Sequence, residues 1–158
     1  MSTVAAREIL VAGAGALARA DGLSPTLQLV LDSIAEQLEI GSAAIFVMNQ
    51  RVGRLEVVAS SGLDDDTVAG LVAAIANPAH PVARTMSDSE PSFDRMPTAP
   101  GGPALRSHLP LIVTRDATDT VLGVLALAHD RPADTETRVL LQAGADLAAA
   151  AIACRGRD

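Results

Sequence analysis

The sequence predicts an α+β domain with an antiparallel sheet and flanking helices. Three observations lead there. The stretch Arg106 to His129 holds two Val-, Leu- and Ile-rich runs, Leu109–Val113 and Val121–Ala128, around the polar connection Thr114–Thr120, a β-hairpin signal. Ahead of it, Ser42–Met48 and Arg54–Ser60 form a second strand pair around the turn Asn49–Gly53. Apolar stripes at helical spacing run through Leu27–Leu38 and Leu140–Ile152. With 158 residues, 49% of them hydrophobic, the chain is long enough for one domain over 24–158, preceded by a helical extension over 1–23.

In the extension, Ser2 or Thr3 caps a helix through Val4–Arg19, weakened by Gly13 and Gly15. The same glycines imitate a dinucleotide-binding fingerprint. Asp21-Gly22 and Ser24-Pro25 break the chain where that motif needs its helix to continue, so a small-residue packing face is the better reading. Ser24 as N-cap and Pro25 at the first helical position open the next helix. Its stripe is Leu27, Val30, Leu31, Ile34, Ala35 and Leu38, and Gly41 ends it.

Ser42–Met48 is the first strand. In the second, alternation places Leu55, Val57 and Ala59 on one face and Arg54, Glu56 and Val58 on the other. Asp64, Asp65 and Asp66 start a helix running to about Ile75, where carboxylates suit the positive end of the dipole; the glycine and terminal glutamate of a calcium loop do not follow. From Ala76 to Pro103 the chain is punctuated by Pro78, Pro81, Pro91, Pro97, Pro100 and Pro103. That spacing leaves room for a short helix at His80–Met86, an edge strand at Ser92–Arg95 and a loop at Thr98–Gly102. After the hairpin, Asp134 or Thr135 begins a last helix whose buried stripe is Leu140, Ala143, Gly144, Leu147, Ala148, Ala151 and Ile152.

Composition narrows the function. The net charge is −7, and the twelve basic residues are all Arg, spread without a run, which is no footprint for nucleic acid. Ala- and Arg-richness without Lys points to a GC-rich bacterial genome. Phe46 and Phe93 are the only aromatic residues, so a pocket has few ring faces to stack on a purine or flavin. Cys154 is the single cysteine, which rules out an intramolecular disulfide or a thiolate metal cage and points to the cytoplasm. The longest apolar runs fall short of a membrane span, and the N-terminus lacks a signal-peptide pattern, so no membrane association is expected.

Taken in order, the helix Leu27–Leu38, Ala44-Ile-Phe-Val-Met-Asn49, Leu55 to Leu63, His80-Pro-Val-Ala-Arg-Thr85, Ser107 to Val113, Val121 to Leu127 and the helix opening at Asp134-Thr-Glu136 resemble a GAF domain, a fold related to PAS-type sensors, from about Thr26 to Ala153. The resemblance implies a central antiparallel sheet with the terminal helices packed on one face and the Pro-rich irregular segment with its short helices on the other, a small-molecule pocket between the sheet and that Ala76–Pro103 segment, and dimerisation through the terminal helices. This chain departs from several branches of the family. Without Lys it cannot complete the cyclic-nucleotide signature, Cys154 is on the wrong element to attach a bilin, and the pocket loops lack the cysteines of the sulfoxide-reducing members.

The expected function is that of a sensory or regulatory domain in bacterial signalling that binds a small molecule or dimerises, acting through a separate signalling partner. The pocket candidates are Phe46 and Met48 on the first strand, Arg84 and Phe93 in the roof, and Arg106 and His108 leading into the hairpin. Arg84 and Arg106 are suited to hold an anionic ligand through paired hydrogen bonds, with surface ion pairs as the competing reading. The alternative function is a dimerisation module with a closed, ligand-free pocket. A haem sensor using His80 or His108, or an enzyme, ranks behind both: aromatic walls and recognised catalytic motifs are missing. No cofactor, metal site or catalytic residue is therefore expected.

Overall fold

The computed structural model describes residues 23–96 and 105–155. The expected helix Val4–Arg19 and loop Thr98–Gly102 lie outside the described residues. The elements are α1 (Leu23–Leu38), β1 (Ser42–Asn49), β2 (Arg54–Ser61), α2 (Asp65–Ala74), α3 (Pro81–Asp88), β3 (Ser92–Arg95), β4 (Leu105–Arg115), β5 (Thr118–His129) and α4 (Thr135–Arg155). The strands form one antiparallel sheet in the order β2-β1-β5-β4-β3. The hairpin therefore supplies the middle strand, β5, and its neighbour.

Each face of the sheet is covered by a different layer. On one, Leu27, Val30, Leu31 and Ile34 of α1 and Leu141, Ala145, Ala148 and Ala149 of α4 pack on Ile45, Leu109, Leu111, Leu125 and Leu127. Each fully buried Leu, Ile or Val contributes about 1.5–3 kcal/mol. On the other face Ala44, Phe46, Leu55 and Val124 meet Ile75, Val82 and the half-buried Leu71 and Met86 from α2, α3 and their flanks. α4 is long and apolar enough by composition to cross a membrane. Here it is a core helix, because its Leu141, Ala145 and Ala148 belong to the first layer's core.

Several expectations are corrected. The chain is already helical at Leu23, and Ser24 turns its hydroxyl to the Val58 carbonyl at 2.6 Å instead of capping α1. The left-handed residue that stops α1 is Glu39, with φ 54°, rather than Gly41. The Ile40 N–H then reaches back to the Ala35 carbonyl at 3.0 Å and the Ile40 side chain closes over the helix end. The polar stretch Thr114–Thr120 is strand except for Asp116 and Ala117, whose φ values of 51° and 63° give the two-residue turn that matches strand twist. In β2 the register shift beside Ile45 leaves Val58 unpaired. Leu55 and Val57 consequently face α2, whereas Val58 and Ala59 both turn to the terminal helices. The α4 stripe is broader than its spacing indicated, because Leu141, Ala145 and Ala149 are buried too.

Asp64 caps α2 by accepting the Thr67 N–H at 2.7 Å, and α3 and β3 lie where the proline spacing left room for them. Two glycines are set by close approach. A Cβ on Gly144 would sit 2.4 Å from Ile34 Cδ1, so the glycine lets α4 close on α1. A Cβ on Gly123 would sit 2.0 Å from the Phe46 carbonyl oxygen, and that neighbour is backbone. Gly123→Ala must therefore push β5 from β1, and a loss of about 2–4 kcal/mol is expected by urea denaturation. Gly70→Ala, on α2 with open space around it, should instead stabilise by about 0.5–1 kcal/mol.

Candidate functional site

Three strands present matched rows of side chains beneath α2 and α3. From the register, Ser42, Ala128 and Arg106 form one row, Ala44, Ala126 and His108 the next, and Phe46, Val124 and Pro110 the third. The first two rows carry small side chains on β1 and β5. Space is left there that the third row fills, and the result is a cavity of about 300 Å³. Its apolar lining includes Phe46, Leu63, Leu71 and Val82, on the β1 and helical side. On the β3–β4 side it is lined by Arg95, Arg106 and His108, and at the head of α3 by His80.

Of the six residues expected from sequence, three meet here: Phe46, Arg106 and His108. Met48 packs in the same apolar cluster without reaching the cavity. Arg84 is exposed on α3. Phe93 faces the opposite layer, where the Arg138 guanidinium stacks 4.7 Å from its ring centre. Sequence reasoning missed Arg95 and the alanines Ala44, Ala126 and Ala128. The alanines had a signal, since they recur at alternate strand positions otherwise occupied by large residues.

The two histidines differ. His80 is the N-cap of α3, its Nδ1 accepting the Val82 N–H at 3.2 Å, which fixes the ring proton on Nε2. Burial, and then the nearby Arg106, lower its pKa. His108 is 5% exposed and its Nδ1 has no hydrogen-bond partner. Its pKa is pushed down to about 4 by burial first, then by His80, Arg95 and Arg106. Among the described residues no carboxylate pairs with Arg95 or Arg106. The cavity thus gathers unneutralised positive charge and imidazole N–H donors beside an apolar wall.

On the other side of the same strands, Ser107, His129 and Asp94 make a closed polar cluster. His129 Nδ1 lies 2.7 Å from the Arg131 carbonyl, an acceptor only, so it carries the proton. Nε2 then accepts from Ser107 Oγ at 2.7 Å, while Ser107 Oγ accepts the Asp94 N–H at 3.2 Å. The Asp94 carboxylate takes the Ala133 N–H at 2.8 Å and an Arg138 guanidinium N–H at 3.0 Å. A serine beside a histidine resembles a nucleophile pair, but Ser107 is fully buried and saturated, so this cluster is a clasp between β3, β4, β5 and the start of α4. A larger hollow of about 480 Å³ lies beside it, between the end of α1 and the β5–α4 connection. Its buried polar member, His129, is already satisfied within the clasp.

The sequence matches the GAF domain family over residues 24–154. The chain belongs to the GAF domain family. Among solved structures it is similar to the GAF domain of a phosphoenolpyruvate-protein phosphotransferase from Coxiella burnetii, with a TM-score of 0.76 and 18% identity over 99% of this chain and 98% of that one. The corresponding Acinetobacter domain gives 0.73 and 15%, with the same coverage. The free methionine-R-sulfoxide reductase of Neisseria meningitidis gives 0.69 and 14% over 96% of this chain and 91% of that one. No curated protein matches the sequence. At these identities the likeness is one of fold, and the fold occurs both as the GAF domain of a sensor histidine kinase from Pseudomonas syringae and as an enzyme.

His108 also makes stability depend on pH. In the unfolded chain an imidazole titrates at its ordinary 6.5, whereas the folded value is about 4, so between these pH values the unfolded state holds more protons. His108's contribution is fully present above pH 6.5 and is lost as pH falls toward 4, to an extent on the order of 3 kcal/mol. His80, shifted the same way, adds with the same sign. Urea denaturation at pH 7 and pH 4 should show His108→Gln losing less stability than the natural protein by about that amount.

Proposed function

We infer that this GAF domain is a sensory or regulatory module whose ligand is a small anionic molecule held in the cavity beneath α2 and α3. The observation that carries the reading is the asymmetry of the lining: Arg95 and Arg106 without carboxylate partners on one side, Phe46, Leu63, Leu71 and Val82 on the other. A guanidinium pair offers planar, two-point hydrogen bonding to a carboxylate or phosphate. Arg95 and Arg106 are both exposed, so their guanidiniums stand at the rim of the cavity, where the anionic end of a ligand can reach them. A non-enzymatic role is supported by the position of Cys154, exposed near the end of α4 and away from the cavity. The output would lie with a separate signalling partner in the cytoplasm.

A thermal-shift screen of small anionic metabolites should find compounds that raise the melting temperature. Arg106→Ala should weaken them about tenfold to a hundredfold, the worth of a charged hydrogen bond. Ala126→Leu, which fills the small-residue row, should abolish binding while leaving the circular dichroism spectrum native. Stabilisation that survives Ala126→Leu places the ligand elsewhere.

A second reading concerns assembly. Leu29 on α1 is 52% exposed and Val139 on α4 is 63% exposed, on the two helices that form the outer layer. A homodimer through these helices would cover both. Sedimentation should show a dimer that Val139→Glu, with or without Leu29→Glu, converts to monomer; a natural protein that stays monomeric at high concentration refutes it.

A further inference from the structure

We propose that the cavity's ligand is a short-chain aliphatic carboxylate, and that binding it draws one proton onto His108. This deepens the preceding reading and rests on it. The size argues for a small molecule, since about 300 Å³ lies at the lower limit of ligand pockets. The wall argues for an aliphatic body: Leu63, Leu71 and Val82 line it, and Phe46 is the one aromatic ring in the apolar lining. A few methylene or methyl groups laid against them gain about 0.8 kcal/mol each on burial. The head of the ligand then falls to Arg95 and Arg106.

The proton follows from the difference between the two imidazoles. His80 has its Nδ1 lone pair committed to the Val82 N–H, so a second proton on this ring breaks the cap of α3. His108 has an Nδ1 with no partner, and nothing need be broken to protonate it. What keeps it neutral in the empty site is burial together with the groups facing it: His80 ahead of α3, Arg95 on β3 and Arg106 on β4, while β5 opposes it with Ala126. A carboxylate placed between the two arginines offsets their repulsion and sets a negative charge beside the ring. An opposite charge within about 4–6 Å favours the cationic form and raises the imidazole toward its ordinary range. The unpartnered Nδ1 is the position that takes the proton. The anion and the proton therefore bind together, and each strengthens the other.

The test is titration calorimetry of the full chain with butanoate and 3-methylbutanoate at pH 5.5, 6.5 and 7.5, in buffers of different ionisation enthalpy. The dependence of heat on buffer enthalpy counts protons. Uptake should rise toward one proton as pH falls, with affinity strengthening by up to about tenfold per pH unit. His108→Gln should bind more weakly with no uptake, and His80→Gln should keep the uptake. Binding without uptake at any pH, or uptake lost in His80→Gln and kept in His108→Gln, overturns the role of His108. Inorganic phosphate binding as tightly as 3-methylbutanoate overturns the aliphatic assignment. If neither carboxylate binds while other anions stabilise the protein in the thermal screen, this proposal falls and the sensory reading stands; if no anion acts in either experiment, both fall.

Discussion

Period-two alternation along β5 is the constraint on which the rest depends. Leu125, Leu127 and His129 go to the layer of α1 and α4, while Val124, Ala126 and Ala128 go to the cavity face. A one-residue slip would exchange these sets, placing leucines in the cavity and alanines under the helices. Register is pinned from both sides. Gly123 allows the Phe46 backbone to approach as no other residue would, and Asp116 and Ala117 fix the pairing with β4 through their left-handed turn. Cavity, core and clasp are therefore products of one alignment.

Much of this was legible in the chain. The strands, the short helix after His80, the edge strand at Ser92 and the helical stripes rest on periodicity and proline spacing, which local sequence carries directly. Three of the errors share a cause. At Val58, at Glu39 and at Asp116 the outcome depends on a bulge or a left-handed residue with no glycine to announce it. The same holds for the site. Arg106, His108 and Phe93 are all placed at the pocket by chain position; the first two reach it because β4 begins at Leu105 and its alternation turns both to that side. The irregular pairing of β3, with Asp94 at φ 58°, sends Phe93 to α4 and Arg95 to the cavity.

The cavity and the clasp share a strand. Arg106 and His108 look one way and Ser107 between them looks the other, where it holds His129 and the Asp94 backbone. On β3 the arrangement repeats, with Arg95 at the cavity beside Asp94, whose carboxylate holds Ala133 and Arg138 at the head of α4. Groups that line the cavity and groups that seat the terminal helix are thus consecutive in the backbone. Their side chains are chemically separate, since a complete sheet lies between them.

The bulge at Asp94 has a further effect at the margin of the sheet. A long, flat outer strand is a template for another chain's strand. Here β3 is four residues long, paired only at Ser92 and Arg95, and bent by a left-handed residue between them. Past its end the uncovered part of β4 includes Pro110, which has no N–H to offer. The distortion that deals Phe93 and Arg95 to opposite faces also protects this border against edge-to-edge aggregation.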